Sequence, residues 1–157
     1  MDRIPMTQSG FDRLHEELKR LKAVDRPRVI RALEAARSHG DLSENAEYDA
    51  ARHEQGLIER RIGELEVKTQ RAQVIDLTRL SGGTVRFGAL VTLRDLESGE
   101  KLAYRIVGAD EAGTASNLIS IESPLARALV GKNSGEHVEV DAPAGIKGFE
   151  ILKVSFK

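Results

Sequence analysis

Cysteine is absent from the 157-residue sequence. Disulfides, thiolate nucleophiles and cysteine-liganded zinc are therefore excluded. Tryptophan is also absent and aromatic residues make up only 4% of the chain. A fold with so few large rings has a thin core, or an extended element that needs little core. No stretch reaches the roughly 18 apolar residues of a membrane helix. Met1-Asp2-Arg3-Ile4-Pro5 lacks the apolar run of a signal peptide. The expected compartment is the cytoplasm, with no membrane partner. Charge of one sign is not in excess: the net charge is −1, so any contact with nucleic acid has to be local or indirect. The four histidines (His15, His39, His53 and His137) show no ligand spacing. Gly82-Gly83 and Gly145 punctuate turns and form no phosphate loop. No Ser/His/Asp arrangement is evident.

What is present falls into two textures that meet near Asp76, giving an expected division into residues 1–76 and 77–157. Charged residues are 31% of the chain, and they are dense in the first part, as in long solvated helices. Thr7 is a natural N-cap, with Met6 before it and Phe11 at the staple position. Phe11, Leu14, Leu18 and Leu21 recur at spacings of three and four, the seam of a coiled coil. Ile30, Leu33, Ala36 and Arg37 continue a helical face beyond Pro27. The proline predicts a kink, with Asp25 and Arg26 biased away from helical geometry. One bent helix from Thr7 to Ser38 is expected, closed by Gly40. A second seam runs through Tyr48, Ala51, Gln55, Ile58, Ile62, Leu65, Thr69 and Ala72, with Gly56 and Gly63 off it. Two seamed helices joined by a short loop bury their stripes by folding back on each other.

The second part alternates as strands do, over Thr84–Phe87, Leu90–Leu96, Lys101–Val107, Leu118–Ile121, His137–Val140 and Phe149–Phe156. Ser123 and Pro124 mark the cap and first position of a short helix. The expected fold class is α+β: an N-terminal antiparallel coiled-coil hairpin, then a compact, mostly antiparallel domain.

The segment Gly40-Asp41-Leu42-Ser43-Glu44-Asn45-Ala46-Glu47-Tyr48 sets acidic side chains at the end of the hairpin. Two readings stand open on spacing alone. Asp41 and Glu44 fit a capping box, as N-cap and N3. They also fit partial ligation of a divalent cation, since Mg²⁺ takes one or two carboxylates plus substrate oxygens and water. A pair on a tip cannot build a cage and would hold metal usefully only where another site completes the sphere.

This nonapeptide, followed by Ala50-Ala51-Arg52, resembles the signature of the GreA/GreB transcript-cleavage factors. The resemblance covers the whole chain. Ile4-Pro5-Met6-Thr7, Ala72-Gln73-Val74-Ile75-Asp76, Tyr104-Arg105-Ile106-Val107-Gly108, Asn117-Leu118-Ile119-Ser120 and Ser123-Pro124-Leu125-Ala126 all resemble family segments. It implies an FKBP-like second domain that docks at the secondary channel of bacterial RNA polymerase, with Ser123 and Pro124 at the docking position. It implies that the coiled coil enters the channel, where Asp41 and Glu44 are the catalytic and metal-binding pair, sharing a Mg²⁺ with the polymerase. The polymerase then hydrolyses nascent RNA whose 3′ end has backtracked. Arg37 and Arg52 match the family's basic patch, which implies contact with that RNA. The protein is expected to be a cofactor of hydrolysis and no enzyme itself. A monomer is expected, with self-association through the coiled coil left open. Three alternatives are a non-cleaving channel regulator, which an altered tip would mark, a prolyl isomerase, which needs an aromatic-lined pocket, and a coiled-coil adaptor insensitive to its tip carboxylates.

Overall fold

The computed structural model describes residues 2–38 and 45–156. The chain divides into two compact units: an arm, Phe11–Ala72, and a globular unit made of Asp2–Gly10 and Gln73–Lys157.

The arm is built from helices. Strand β1 (Ile4–Thr7) leads directly into α1 (Gln8–Arg20). Thr7 caps α1 as expected, its Oγ1 accepting the Gly10 amide at 3.0 Å. A π-helical turn, Leu21–Asp25, follows, and then α2 (Arg26–Arg37). Here the structure corrects two expectations. Asp25 and Arg26 both keep right-handed helical backbone despite preceding or adjoining Pro27. Ile30 is exposed, and Val29, Leu33 and Ala36 are the buried face of α2. The reason is one of counting. A heptad carried forward from Leu14, Leu18 and Leu21 would reach positions 28, 32 and 35. The Arg26 amide instead bonds the Leu21 carbonyl five residues back, which adds one residue to the turn and moves the seam to 29, 33 and 36.

Helix α3 (Ala46–Arg71) runs for 26 residues, about 39 Å at 1.5 Å per residue. Its seam is the expected one: Ala51, Ile58, Ile62 and Leu65 are buried, and Tyr48 is half-buried against them. Burying a side chain such as Ile62 or Leu65 stabilises the pairing by roughly 1.5–3 kcal/mol, so the seam holds the arm together. Surface pairs fix its register. Arg26 makes a bidentate bond to Glu59 (2.9 and 2.7 Å), Arg28 bonds Glu54 (2.6 Å), and Arg61 makes a bidentate bond to Glu17 (2.7 and 2.9 Å). Gly56 and Gly63 lie on the exposed face, with open space where a Cβ would go.

Two short strands were not expected. Helix α3 ends where Ala72 enters β2 (Ala72–Ile75), which pairs with β1. A 3₁₀ turn, Leu77–Arg79, follows, with Asp76 as its cap. The main sheet has order β5-β4-β3-β7-β6, formed by β3 (Leu90–Asp95), β4 (Lys101–Val107), β5 (Leu118–Ser120), β6 (His137–Ala142) and β7 (Gly145–Ser155). Only β5 runs parallel to its neighbour, β4. The expected strand at Thr84–Phe87 is reduced to a single bridge between Thr84 and Asn133. Strand β7 begins four residues earlier than expected, because the two residues Pro143-Ala144 are enough to turn β6 into β7. Val91, Leu93, Ile106, Phe149 and Ile151 form one apolar face, covered by Ala126 and Leu129 of α4 (Pro124–Leu129).

Candidate functional site

Asp41 and Glu44, with His39 and Gly40, lie outside the described residues. The structure does define the two helix ends that carry the segment between them. On the α2 side, the Ser38 amide bonds the Glu34 carbonyl at 3.3 Å, and the Ser38 hydroxyl donates to the Ala35 carbonyl at 2.6 Å. On the α3 side, the N-cap is Asn45. It has extended backbone (φ −91°, ψ 95°), and its Oδ1 accepts the Tyr48 amide at 3.0 Å. The capping box expected at Asp41 and Glu44 is therefore not what starts this helix. Asparagine ranks with aspartate as a capping residue, and Glu47 and Asp49 supply the acidic first turn that the helix dipole favours. That signal was present in the sequence and was masked by the neighbouring Asp41-x-x-Glu44 pattern.

Asn45 does a second job. Its Nδ2 donates to the Ala36 carbonyl at 2.6 Å. The carbonyls of a helix's last turn have no partner inside the helix, so this bond satisfies one of them and ties the two helix ends together. Ala36 and Ala51 are buried at this end of the arm, where small side chains let helices approach closely. The base from which the acidic segment springs is thus pinned on both sides.

Arg37 and Arg52 are both exposed. The Arg37 guanidinium lies 5.8 Å from the centre of the Tyr48 ring, a cation–π contact. Arg52 follows Tyr48 by four residues on α3, and its Nη1 donates to Gln55 at 3.2 Å. The tyrosine ring thus holds the Arg37 guanidinium at this end of the arm. Further along the arm, hydrogen bonds from Arg61, Arg28 and Arg26 hold the carboxyls of Glu17, Glu54 and Glu59 below the usual carboxylate range. These acids are committed to the register of the arm.

In the globular unit, Ser123 caps α4, its Oγ accepting the Ala126 amide at 3.2 Å, and Pro124 is the first helical residue and exposed. A cavity of about 440 Å³ lies between the segment around Leu77 and Leu80 and the end of β7, and Phe156 is the one aromatic that lines it. It is not the aromatic-lined pocket that prolyl isomerisation would require. Among the described residues no three His, Asp or Glu side chains cluster to hold a metal ion, and no helix is long and apolar enough to cross a membrane.

The N-terminal transcription elongation factor GreA/GreB family model matches residues 4–74, and the C-terminal GreA/GreB model matches residues 80–156. The chain is 56% identical over 156 residues to transcription elongation factor GreA of Caulobacter vibrioides (strain NA1000 / CB15N), covering 99% of each chain. It is 56% identical, again over 99% of each chain, to the GreA of Rhodospirillum rubrum. It is 54% identical to the GreA of Hyphomonas neptunium over the whole of both chains. Among solved structures, GreA factor homolog 1 of Thermus thermophilus is 28% identical, with 98% of this chain and 99% of that one covered and a TM-score of 0.45. Matches to both domain models and to full-length relatives converge on one assignment: the chain belongs to the GreA/GreB family of transcription elongation factors.

Proposed function

We propose that this protein binds bacterial RNA polymerase in the cytoplasm, reaches its active site through the secondary channel, and stimulates hydrolysis of backtracked nascent RNA by the polymerase itself. The observation that carries the reading is the place of Asp41 and Glu44 in the chain. They fall between Ser38, at the end of α2, and Asn45, the cap of α3, in the connection of the hairpin, and the helix that follows draws its cap from Asn45.

The donor set suits Mg²⁺. Two carboxylates are hard oxygen ligands, too few for a cage and enough to complete a sphere that polymerase and RNA share. When bound, the ion would supply charge stabilisation at the phosphate and an acidified water. This chain's residues supply the rest. Asp41 and Glu44 offer ligand oxygens, and Glu44 also orients the attacking water or takes its proton. Arg37 and Arg52 face the extruded RNA backbone. Two cations give modest, salt-dependent affinity, in keeping with a net charge of −1. Ser123 and Pro124 present the docking edge of the globular unit. The chemistry remains the polymerase's, and this chain acts as its cofactor.

The test is a stalled, backtracked elongation complex carrying end-labelled RNA and Mg²⁺. The wild type should release short 3′ fragments. Asp41→Asn and Glu44→Gln should not, while melting at the wild-type temperature. Equal cleavage by all three would reject the carboxylate assignment. Binding to polymerase without cleavage by any of them would make the protein a channel-binding regulator.

A further inference from the structure

The cavity beside the end of β7 takes no part in the function proposed above, and it lies wholly within the globular unit. Its volume of about 440 Å³ is within the range of roughly 300–1,000 Å³ in which proteins hold small molecules. Leu77, Leu80, Val154 and Phe156 supply apolar wall, and Thr78 and Ser81 supply hydroxyls. Each side of the cavity is fixed by contacts of its own. On one side, the Asp76 carboxylate accepts the Thr78 amide at 3.0 Å and the Thr78 hydroxyl at 2.6 Å. The Leu80 amide bonds the Leu77 carbonyl at 3.2 Å. Leu77 itself is seated on Gly88, where a Cβ would run into Leu77 Cδ2. The φ of Gly88 is +86°, so glycine suits that seat on both counts. On the other side, Val154 and Ser155 pair with Val91 and Leu90 of β3. The cavity is therefore built before any ligand arrives.

Charge decides what such a cavity takes. Among the described residues, no acidic side chain lines it. Asp76, next to Leu77, has its carboxylate engaged by Thr78 and by Arg79 at 3.4 Å. A cation stands close by. The Arg86 guanidinium lies 5.4 Å from the centre of the Phe156 ring, and its Nη2 donates to the Ser81 carbonyl at 3.3 Å. Phe156 and Ser81 both line the cavity. A guanidinium presents five N–H donors in a fork that matches a carboxylate. We propose that the cavity is a binding site for small amphipathic anions, with an apolar body held between Leu77, Leu80 and Phe156 and a carboxylate on Arg86. An uncharged ligand of the same shape gains the walls and loses the ion pair.

The experiment titrates the full, isotope-labelled chain with phenylbutyrate, and in parallel with its uncharged amide, following the backbone amides by NMR. Both probes should shift Leu77, Leu80, Val154 and Phe156 saturably. Phenylbutyrate should bind about fivefold more tightly than the amide, the preference that an exposed ion pair supplies. Arg86→Gln should bring the two affinities together, and Arg86→Lys should keep part of the preference. Arg86 is exposed, so both variants should keep the wild-type spectrum away from the cavity. Ser81→Leu, also at an exposed position, narrows the space and should weaken both probes alike. Shifts that do not saturate, or that scatter over the globular unit without favouring the lining amides, would overturn the site. Equal affinities in the wild type, or a preference for phenylbutyrate that survives Arg86→Gln, would overturn the pairing of the anion with Arg86. No polymerase is needed, so the result stands apart from the cleavage assay.

Discussion

Removing Asn45 tests the logic of the tip most directly, because one side chain serves two helices. Asn45→Ala deletes the cap of α3, a loss typically of about 1 kcal/mol. It also deletes the bond from Nδ2 to the Ala36 carbonyl, of 2.6 Å, whose net contribution is about 0.5–1.5 kcal/mol. The expected destabilisation of this end of the arm is about 2 kcal/mol. Asn45→Asp separates the parts. It keeps an acceptor for the Tyr48 amide and loses the donor to Ala36, so it should cost about half as much, roughly 1 kcal/mol. The two units need not unfold together, so a global melt is a poor ruler here. Amide hydrogen exchange is local. The Asp49 amide, bonded to the Asn45 carbonyl at 3.1 Å, and the Ser38 amide report on the two helix ends. Where exchange follows local opening, 2 kcal/mol corresponds to roughly a thirtyfold loss of protection in Asn45→Ala. Equal loss in the Ala and Asp variants would show that the bond across the hairpin carries the whole effect. Unchanged protection in both would refute the reasoning. Transcript cleavage should fall in Asn45→Ala, since the carboxylates keep their chemistry and lose their footing.

Other outcomes follow from the arm. Gly56→Ala and Gly63→Ala meet open space and should each stabilise the arm by up to about 1 kcal/mol, measured by amide hydrogen exchange along α3. A loss in either variant would mean that the glycines are required for a reason the structure does not contain. The lowered carboxyls of Glu17, Glu54 and Glu59 set a pH dependence. A depressed folded-state value gives a contribution that is complete above the unfolded value near pH 4.3 and is lost as pH falls through the lower folded value. Arm stability should therefore decline on acidification below about pH 5. Replacing all three acids by glutamine, or adding 1 M salt, should flatten that decline. Pro27→Ala should leave the π-helical turn in place and deletion of Val24 should remove it, as read from the exchange and chemical shifts of Arg26. Loss of the turn in Pro27→Ala would make the proline its cause.

The last of these bears on what could be seen in advance. The seam of α3, the first half of the other seam and the strands β4 and β6 follow from periodicity, because a buried stripe leaves its spacing in the sequence whatever surrounds it. Among the features that did not follow, three have a clear physical reason. The π-helical turn involves no unusual residue. It shows only as a surplus residue between Leu21 and Val29, and a reader who attributes the disturbance to Pro27 keeps the wrong face and buries Ile30. The cap of α3 was hidden because two capping patterns overlap: Asp41-x-x-Glu44 satisfies the rule by spacing, and Asn45 satisfies it by geometry. A cap takes extended φ and ψ where helical values begin, and Asn45 has them. The strands β1 and β2 are four residues each, too short for alternation to declare itself, and their pairing joins residues far apart in sequence.

The same distinction governs the site. The acidic segment was legible because its residues are contiguous, and a contiguous pattern needs no fold to be read. The support for that segment is not contiguous. Asn45 bonds the Ala36 carbonyl, and Arg37 lies on Tyr48. Each of these contacts joins residues whose types are ordinary where they stand: an asparagine before a helix, an arginine at a helix end. Under the proposed function the carboxylates have to be delivered to another protein's active site, and delivery depends on the stiffness of everything behind them. Candidate reacting groups of this kind are therefore found by motif, whereas the residues that support them are found only by asking where each helix-end carbonyl has its partner.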